Sequence, residues 1–221
     1  MIERRYRQDY VGEFVVVNTD IRRGIKEQQR EWIPNPASDI KLTNYAAVIG
    51  SSIDQPQFDI GLIIRHHGGF AGNKKLRTYG TGDIWNKHRL DIYCGTDRRN
   101  LDLLQQTNYH AMTPIYTNAR FCMMFPGKFF MIPYQPPINE LAAAVYMAAF
   151  DGNANIYLVG YSNDTPGNTL RWKQDVADVL SAYYTHQFYL VGGPSNMPDI
   201  WCELDNVECM TYKQFRLSVD I

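Results

Sequence analysis

The sequence predicts an α/β protein: a doubly wound, mostly parallel, Rossmann-like sheet with helices on both faces. Two observations predict it. Several short runs are apolar at every position rather than at alternate ones, and end on glycine, as strands covered on both faces do. In the later half such runs alternate with helical segments, the pattern of right-handed parallel crossovers. The chain has 221 residues, 45% hydrophobic and 20% charged, which suits one large globular unit and argues against disorder.

Strands are expected at Glu13–Val17, Tyr45–Gly50, Leu90–Gly95, Arg120–Phe125, Asn155–Gly160 and Gln187–Gly192, with a fainter signal at Val207–Met210. Helices are expected at Arg98–Thr107, Asn139–Phe150 and Thr169–Tyr184. In the second of these, Asn139 caps the first turn and Glu140 meets the positive end of the helix dipole. The body, LAAAVYMAAF, is apolar on every side, so that helix must be deeply packed. Trp32-Ile-Pro-Asn-Pro36 reads as a rigid connector, because two prolines in three residues continue neither element. It divides the chain into an N-terminal strand or arm, residues 1–36, and a single Rossmann-like domain, residues 37–221. Gly68 to Gly82, with five glycines, reads as a long flexible loop.

The N-terminus, MIERRYRQDY, carries charge with no apolar core after it, unlike a secretory signal. The longest apolar run, Leu141–Phe150, is half the length that spans a membrane. A cytoplasmic protein without a membrane span is expected. The four cysteines form no C-x-x-C pair and read as free thiols, and no residue is assigned as a metal ligand. Net charge is −1, yet residues 65–99 hold eight Lys/Arg against three Asp. Such a stretch is either a solvated surface or a phosphate-binding one.

Ligands of open α/β sheets sit beyond the carboxyl ends of the strands. Gly50-Ser51-Ser52 follows the first such strand, where glycine admits close approach and serine hydroxyls can donate to phosphate. It is neither a G-x-G-x-x-G nor a P-loop, and a plain tight turn explains it as well. Gly95, Thr96 and Arg98 follow the next, where helical amides and arginine suit a phosphate. Gly160, Tyr161, Ser162 and Asp164 follow a third and suit a ribose or sugar. Trp85, near Asp83 and His88, either stacks on a ligand or anchors its loop to the core.

Glu140-LAAAVYMAAFDGNANIYLVGYSND-Asp164 resembles the Ala-rich helix and glycine-terminated strand of the small bacterial sialyltransferases and the related 6-hydroxymethylpterin pyrophosphokinase-like proteins. Ala46 to Ser52 resembles the family's first strand and its G-N-G-P-S nucleotide loop, lacking that loop's second glycine. Leu180 to Asn196 resembles the later helix, strand and polar turn. The likeness is patchy over residues 45–196. It implies that Gly50, Ser51 and Ser52 face a donor nucleotide, and that Gly160, Tyr161 and Ser162 face its sugar or base. Pro194, Ser195 and Asn196 would then lie near the phosphate.

The family's general-base histidine has no counterpart, because His186 stands at a strand start, the wrong edge for the site. The base is therefore sought among Asp83, His88 and Asp164. The leading expectation is a glycosyltransferase-like protein that binds a nucleotide-sugar and moves the sugar to an acceptor hydroxyl. Modified DNA is a minority acceptor, since near-neutral charge argues against nucleic acid. The alternatives are a pyrophosphokinase-like phosphotransferase and a nonenzymatic binder that kept the fold. The phosphotransferase would need Mg²⁺ or Mn²⁺ on carboxylates such as Asp54, Asp97 and Asp164. Oligomeric state stays open.

Overall fold

The computed structural model describes residues 2–7, 13–19, 28–34, 44–50, 59–61, 63, 76–133, 138–161 and 169–219. Its centre is an eight-stranded sheet in which every pairing is parallel. A separate antiparallel ribbon, β1 (Glu13–Thr19) with β2 (Gln28–Pro34), precedes it. The main strands are β3 (Tyr45–Ile49), β4 (Leu76–Gly80), β5 (Ile92–Cys94), β6 (Ile115–Thr117), β7 (Phe130–Met131), β8 (Asn155–Val159), β9 (Gln187–Val191) and β10 (Val207–Met210). Their spatial order is β10-β9-β8-β3-β4-β5-β6-β7. The chain starts at β3, steps outward one strand at a time to β7, returns past β3 to β8, and steps outward the other way.

Helices cover both faces, as expected. Helices α1 (Arg98–Leu104), α2 (Tyr109–Met112), α3 (Ala119–Met124) and α6 (Tyr212–Ser218) cover one. Helices α4 (Glu140–Phe150) and α5 (Thr169–Ala182) cover the other. Alternation within β3 shows the division: Ala46 and Val48 pack with α4, while Ala47 and Ile49 join the clusters on the opposite face. Opposite winding directions from β3 demand this, because right-handed crossovers running left and right place their helices on opposite sides.

Three expectations are corrected. Residues 76–80, within the expected glycine-rich loop, form the central strand β4, buried at all five positions. Inside, Asp91 and Asp151 meet its polar side chains, although Arg77 Nη1 and Nη2 form no hydrogen bond with a described residue. Thr78 donates its hydroxyl to Asp91 Oδ2 at 3.0 Å, and its backbone N–H donates to the same oxygen at 2.9 Å. Arg77 joins the ion cluster described below. Residues 119–124, expected as a strand, form α3. Asn118 caps it by accepting the Phe121 amide at 3.2 Å, and Phe121, Cys122 and Phe125 fall on its inner side at helical spacing. Trp32 to Pro34, expected as a rigid connector, belongs to β2. Pro34 sits at the strand end opposite Glu13, where a missing N–H does little harm.

Helix α4 is buried from Leu141 through Phe150. It lies over β3, β4, β5 and β8 with α5 on its outer side. Asp151, just past its C-terminus, is also buried. A carboxylate there faces the negative end of the helix dipole, so it needs cations. Arg7 Nε is hydrogen-bonded to Oδ1. Tyr79 donates to Oδ2 at 2.6 Å, and Arg77 Nη1 lies 3.7 Å from the same oxygen. Arg7 also donates to the Tyr116 hydroxyl at 3.1 Å. Burial opposes the Arg7 charge, and Asp151 and Tyr116 more than restore it, leaving its pKa raised. The cluster ties residues 2–7 to β4, β6 and the end of α4. Next to it, buried His186 bonds the Asn153 carbonyl through Nδ1 at 2.6 Å and stacks on Tyr6.

Removing Asp151 would leave two buried guanidinium groups without their shared counter-ion. Asp151→Ala should cost about 3–5 kcal/mol, read as a lowered urea midpoint at unchanged m-value. A midpoint shift within error would mean that the cluster holds nothing together.

Candidate functional site at the carboxyl edge

A fully parallel sheet places every strand exit on one edge. The chain reverses its winding between β3 and β8, and this switch point is where a crevice opens in doubly wound sheets. Gly50 leaves β3 and Gly160 leaves β8, side by side: the Gly50 amide donates to Val159 O at 2.8 Å. A Cβ on Gly50 would stand 2.9 Å from Gly160 O and 3.0 Å from the Tyr161 ring. Glycine is therefore required here by close approach of backbone to backbone. Tyr161 turns inward and donates its hydroxyl to Leu141 O, in the first turn of α4, at 2.9 Å. That bond brings the start of α4 to the switch point.

Glu140 is the first residue of α4, with Asn139 as cap; Asn139 Oδ1 accepts the Ala142 amide at 2.9 Å. The Asn139 amide in turn donates to Asp175 of α5 at 2.9 Å, which fixes the angle at which the chain enters. The Glu140 residue is partly exposed, yet its Oε2 is buried and makes no hydrogen bond with any described residue. Burial pushes its carboxyl above the ordinary glutamate range, and repulsion from Asp97 adds to this. The Thr96 amide, the Thr81 hydroxyl and the Asp97 amide act in the opposite direction. They act at a reach that leaves Oε2 and Thr81 Oγ1 each without a formed hydrogen bond. Thr81 is fully buried just past β4, and Thr96 and Asp97 follow β5. Tyr93, Cys94 and Tyr161 also feel the Glu140 charge. Two more buried polar atoms near this edge, Thr117 Oγ1 at the end of β6 and Asn139 Nδ2, lack a partner among the described residues. Unpaired buried polar groups are costly, and several along a strand-exit edge mark a place where a polar ligand can complete them.

The residues singled out from sequence fall into three groups. Gly50, Gly160 and Tyr161 meet at the switch point, and Gly95 and Thr96 lie along the same edge at the exit of β5. Pro194, Ser195 and Asn196 form a short turn beyond β9 on that edge. Pro194 and Ser195 are exposed, and Asn196 Nδ2 donates to Gly192 O at 3.0 Å. That turn begins at Gly193, whose φ of +92° favours glycine.

The second group is held by neighbours within its own helix or turn. Arg98 is exposed and pairs with Asp102 along its own helix at 3.4 Å. Asp83 is exposed at the start of a single helical turn, Ile84–Asn86. His88 follows that turn, its imidazole held below its usual pKa by burial and by Lys87, with Asp59 opposing. Both belong to the layer of α1 and α2, where Trp85 packs edge-on against Tyr109 and so anchors this segment to the core. No hydrogen bond or ion pair among the described residues links Asp83 or His88 to Gly50, Gly160 or Glu140. The third group, Ser51, Ser52, Ser162 and Asp164, lies outside the described residues, as does Asp54. Asp97 uses Oδ2 to cap α1 through the Asn100 amide at 3.0 Å. Among the described residues no three His, Cys, Asp or Glu side chains gather as a metal site, and no helix is long and apolar enough to cross a membrane.

Glu140 was visible in the sequence only as an acid suited to a helix dipole. The signal for more was the run behind it: an acid opening a helix that is apolar on every side sits at the mouth of a buried element. No protein-family model, curated protein or solved structure matches the chain.

Because the folded chain holds Glu140 with a raised pKa, ionisation weakens folding: stability is lost as pH rises through that value. Glu140→Gln cannot ionise. Its melting temperature should exceed that of the wild type at pH 8, with the gap closing as pH falls below the ordinary glutamate value of about 4.3. A pH-independent gap would contradict the burial argument.

Proposed function

We propose that this chain binds a nucleotide or nucleotide-sugar across the β3/β8 switch point and transfers the sugar to an acceptor hydroxyl. The observation that carries the reading is the switch point itself: Gly50 and Gly160 bring the exits of β3 and β8 side by side where the winding reverses, and a Cβ on Gly50 would meet Gly160 O and the Tyr161 ring. Doubly wound sheets bind their ligands beyond the strand ends at such a point. The unpaired polar atoms at Thr81 and Glu140 support a hydroxyl-rich ligand beside it. The resemblance of residues 45–196 to the small bacterial sialyltransferases points the same way, toward a nucleotide-sugar donor.

A thermal-shift screen against CMP, UDP, GDP, ADP and their sugar conjugates, with and without Mg²⁺ or Mn²⁺, tests this. A ligand bound only by the folded state stabilises it by about 2.7 kcal/mol at a hundred times its Kd. One nucleotide should raise the melting temperature. Gly50→Ala should abolish that shift, while costing the unliganded protein about 1–3 kcal/mol from the forced backbone contact. Absence of any shift would turn the reading toward a protein that keeps the fold and binds a different partner.

A further inference from the structure

A fully buried carboxylate and a partly buried one bracket helix α4, and they are treated differently. Asp151, beyond the C-terminus, is surrounded by Arg7, Arg77 and Tyr79. Glu140, at the N-terminus, is surrounded by the Thr81 hydroxyl, the Thr96 and Asp97 amides, the Asp97 carboxylate and, further off, Tyr93, Cys94 and Tyr161. Among the described residues no cation is paired with Glu140. A structural buried carboxylate is normally paired, because burial of an unpaired charge is expensive. One that is left unpaired at a strand-exit edge, with a fully buried and unpartnered hydroxyl beside it, is poised toward a ligand.

We infer that Glu140 is the catalytic carboxylate of the site, accepting the proton of the acceptor hydroxyl, an assignment that rests on the sugar-transfer reading above. Asp83 and His88, the bases suggested by sequence, make no hydrogen bond or ion pair to this site among the described residues, whereas Leu141, next to Glu140, accepts a hydrogen bond from Tyr161 at the switch point. In the transfer step the acceptor O–H gives its proton to Glu140. The acceptor oxygen forms a bond to the anomeric carbon of the donor. The bond from that carbon to the phosphate oxygen breaks, and its electron pair leaves on the nucleoside phosphate. The N-terminal end of α4 favours the charged form of the carboxyl that takes up the proton. Burial gives the opposing push, and a carboxyl held between the two titrates nearer to neutrality, where a general base works best.

Water is an acceptor too, so slow donor hydrolysis reads the same proton transfer without knowledge of the natural acceptor. The probes are CMP-sialic acid, UDP-glucose, UDP-N-acetylglucosamine, GDP-mannose and ADP-glucose, scored for release of nucleoside phosphate by wild type, Glu140→Gln and Glu140→Asp. The matching free nucleotide is scored in parallel by thermal shift. Wild type should hydrolyse one donor, with a rate that rises with pH through a single ionisation above the ordinary glutamate range. Glu140→Gln should keep its nucleotide Kd within about twofold and lose about 10²–10⁴-fold in rate, along with that pH limb. Glu140→Asp, which keeps the carboxylate and shifts its position, should retain a measurable part of the rate.

Three results overturn the assignment while leaving nucleotide binding intact. They are Glu140→Gln turning over like wild type, wild type binding nucleotide without hydrolysing any donor, and Glu140→Gln losing nucleotide affinity in step with rate. Wild type showing neither a nucleotide shift nor hydrolysis overturns the underlying reading, and the assignment with it.

Discussion

Helix α4 must be covered on every side. Ten consecutive residues with no polar face leave it no position at the surface, so the sheet, α5 and the N-terminal segment close around it. Its alanines allow close approach to β3, β4, β5 and β8, the strands that flank the switch point. The chain also uses α4 to return from β7 to β8. One element thus supplies the hydrophobic centre, the crossover that makes the sheet doubly wound, and the neighbour of the crevice.

A helix buried this deeply carries its end groups inside as well. At its C-terminal end the dipole repels Asp151, and Arg7 and Arg77 compensate, which in turn draws residues 2–7 and β4 into the core. At its N-terminal end the dipole favours Glu140, so folding tolerates that carboxyl without a cation. The asymmetry follows from helix electrostatics. It leaves one end of α4 with two arginines around its carboxylate, and the other with Glu140 Oε2 and Thr81 Oγ1 making no hydrogen bond to a described residue, on the edge where doubly wound sheets bind their ligands.

The frame was legible where local pattern and tertiary environment agree. Apolar runs ending on Gly50, Gly160 and Gly192 became β3, β8 and β9, and α4 and α5 lie within two residues of their expected bounds. Strand β4 was illegible because Arg77 and Thr78 look solvent-facing; their partners, Asp151 and Asp91, are found only once the chain has folded. Helix α3 was illegible because its six residues mix aromatic and sulfur side chains that suit a strand equally, and the Asn118 cap decides between them. For the site, the glycines singled out at strand exits, Gly50 and Gly160, meet at the switch point on the carboxyl edge. Asp83 and His88 were drawn from sequence proximity to a tryptophan that proves to be an anchor. Glu140 escaped notice as chemistry because its dipole match explained it locally, while the unpaired state of its Oε2 among the described residues is a property of the folded neighbourhood alone.

Glu140 Oε2 is buried with no counter-ion among the described residues, and the titration of this carboxyl tests the consequence most directly. Side-chain ¹³C NMR of selectively labelled glutamate, with Glu140→Gln to assign the resonance, would follow the carboxyl from acid to alkaline pH. The structure predicts a midpoint clearly above the ordinary glutamate value of about 4.3, because burial and Asp97 outweigh the Thr81, Thr96 and Asp97 donors. A midpoint at or below that value would mean that the carboxyl is solvated or paired, and the distinction between the two ends of α4 would not stand.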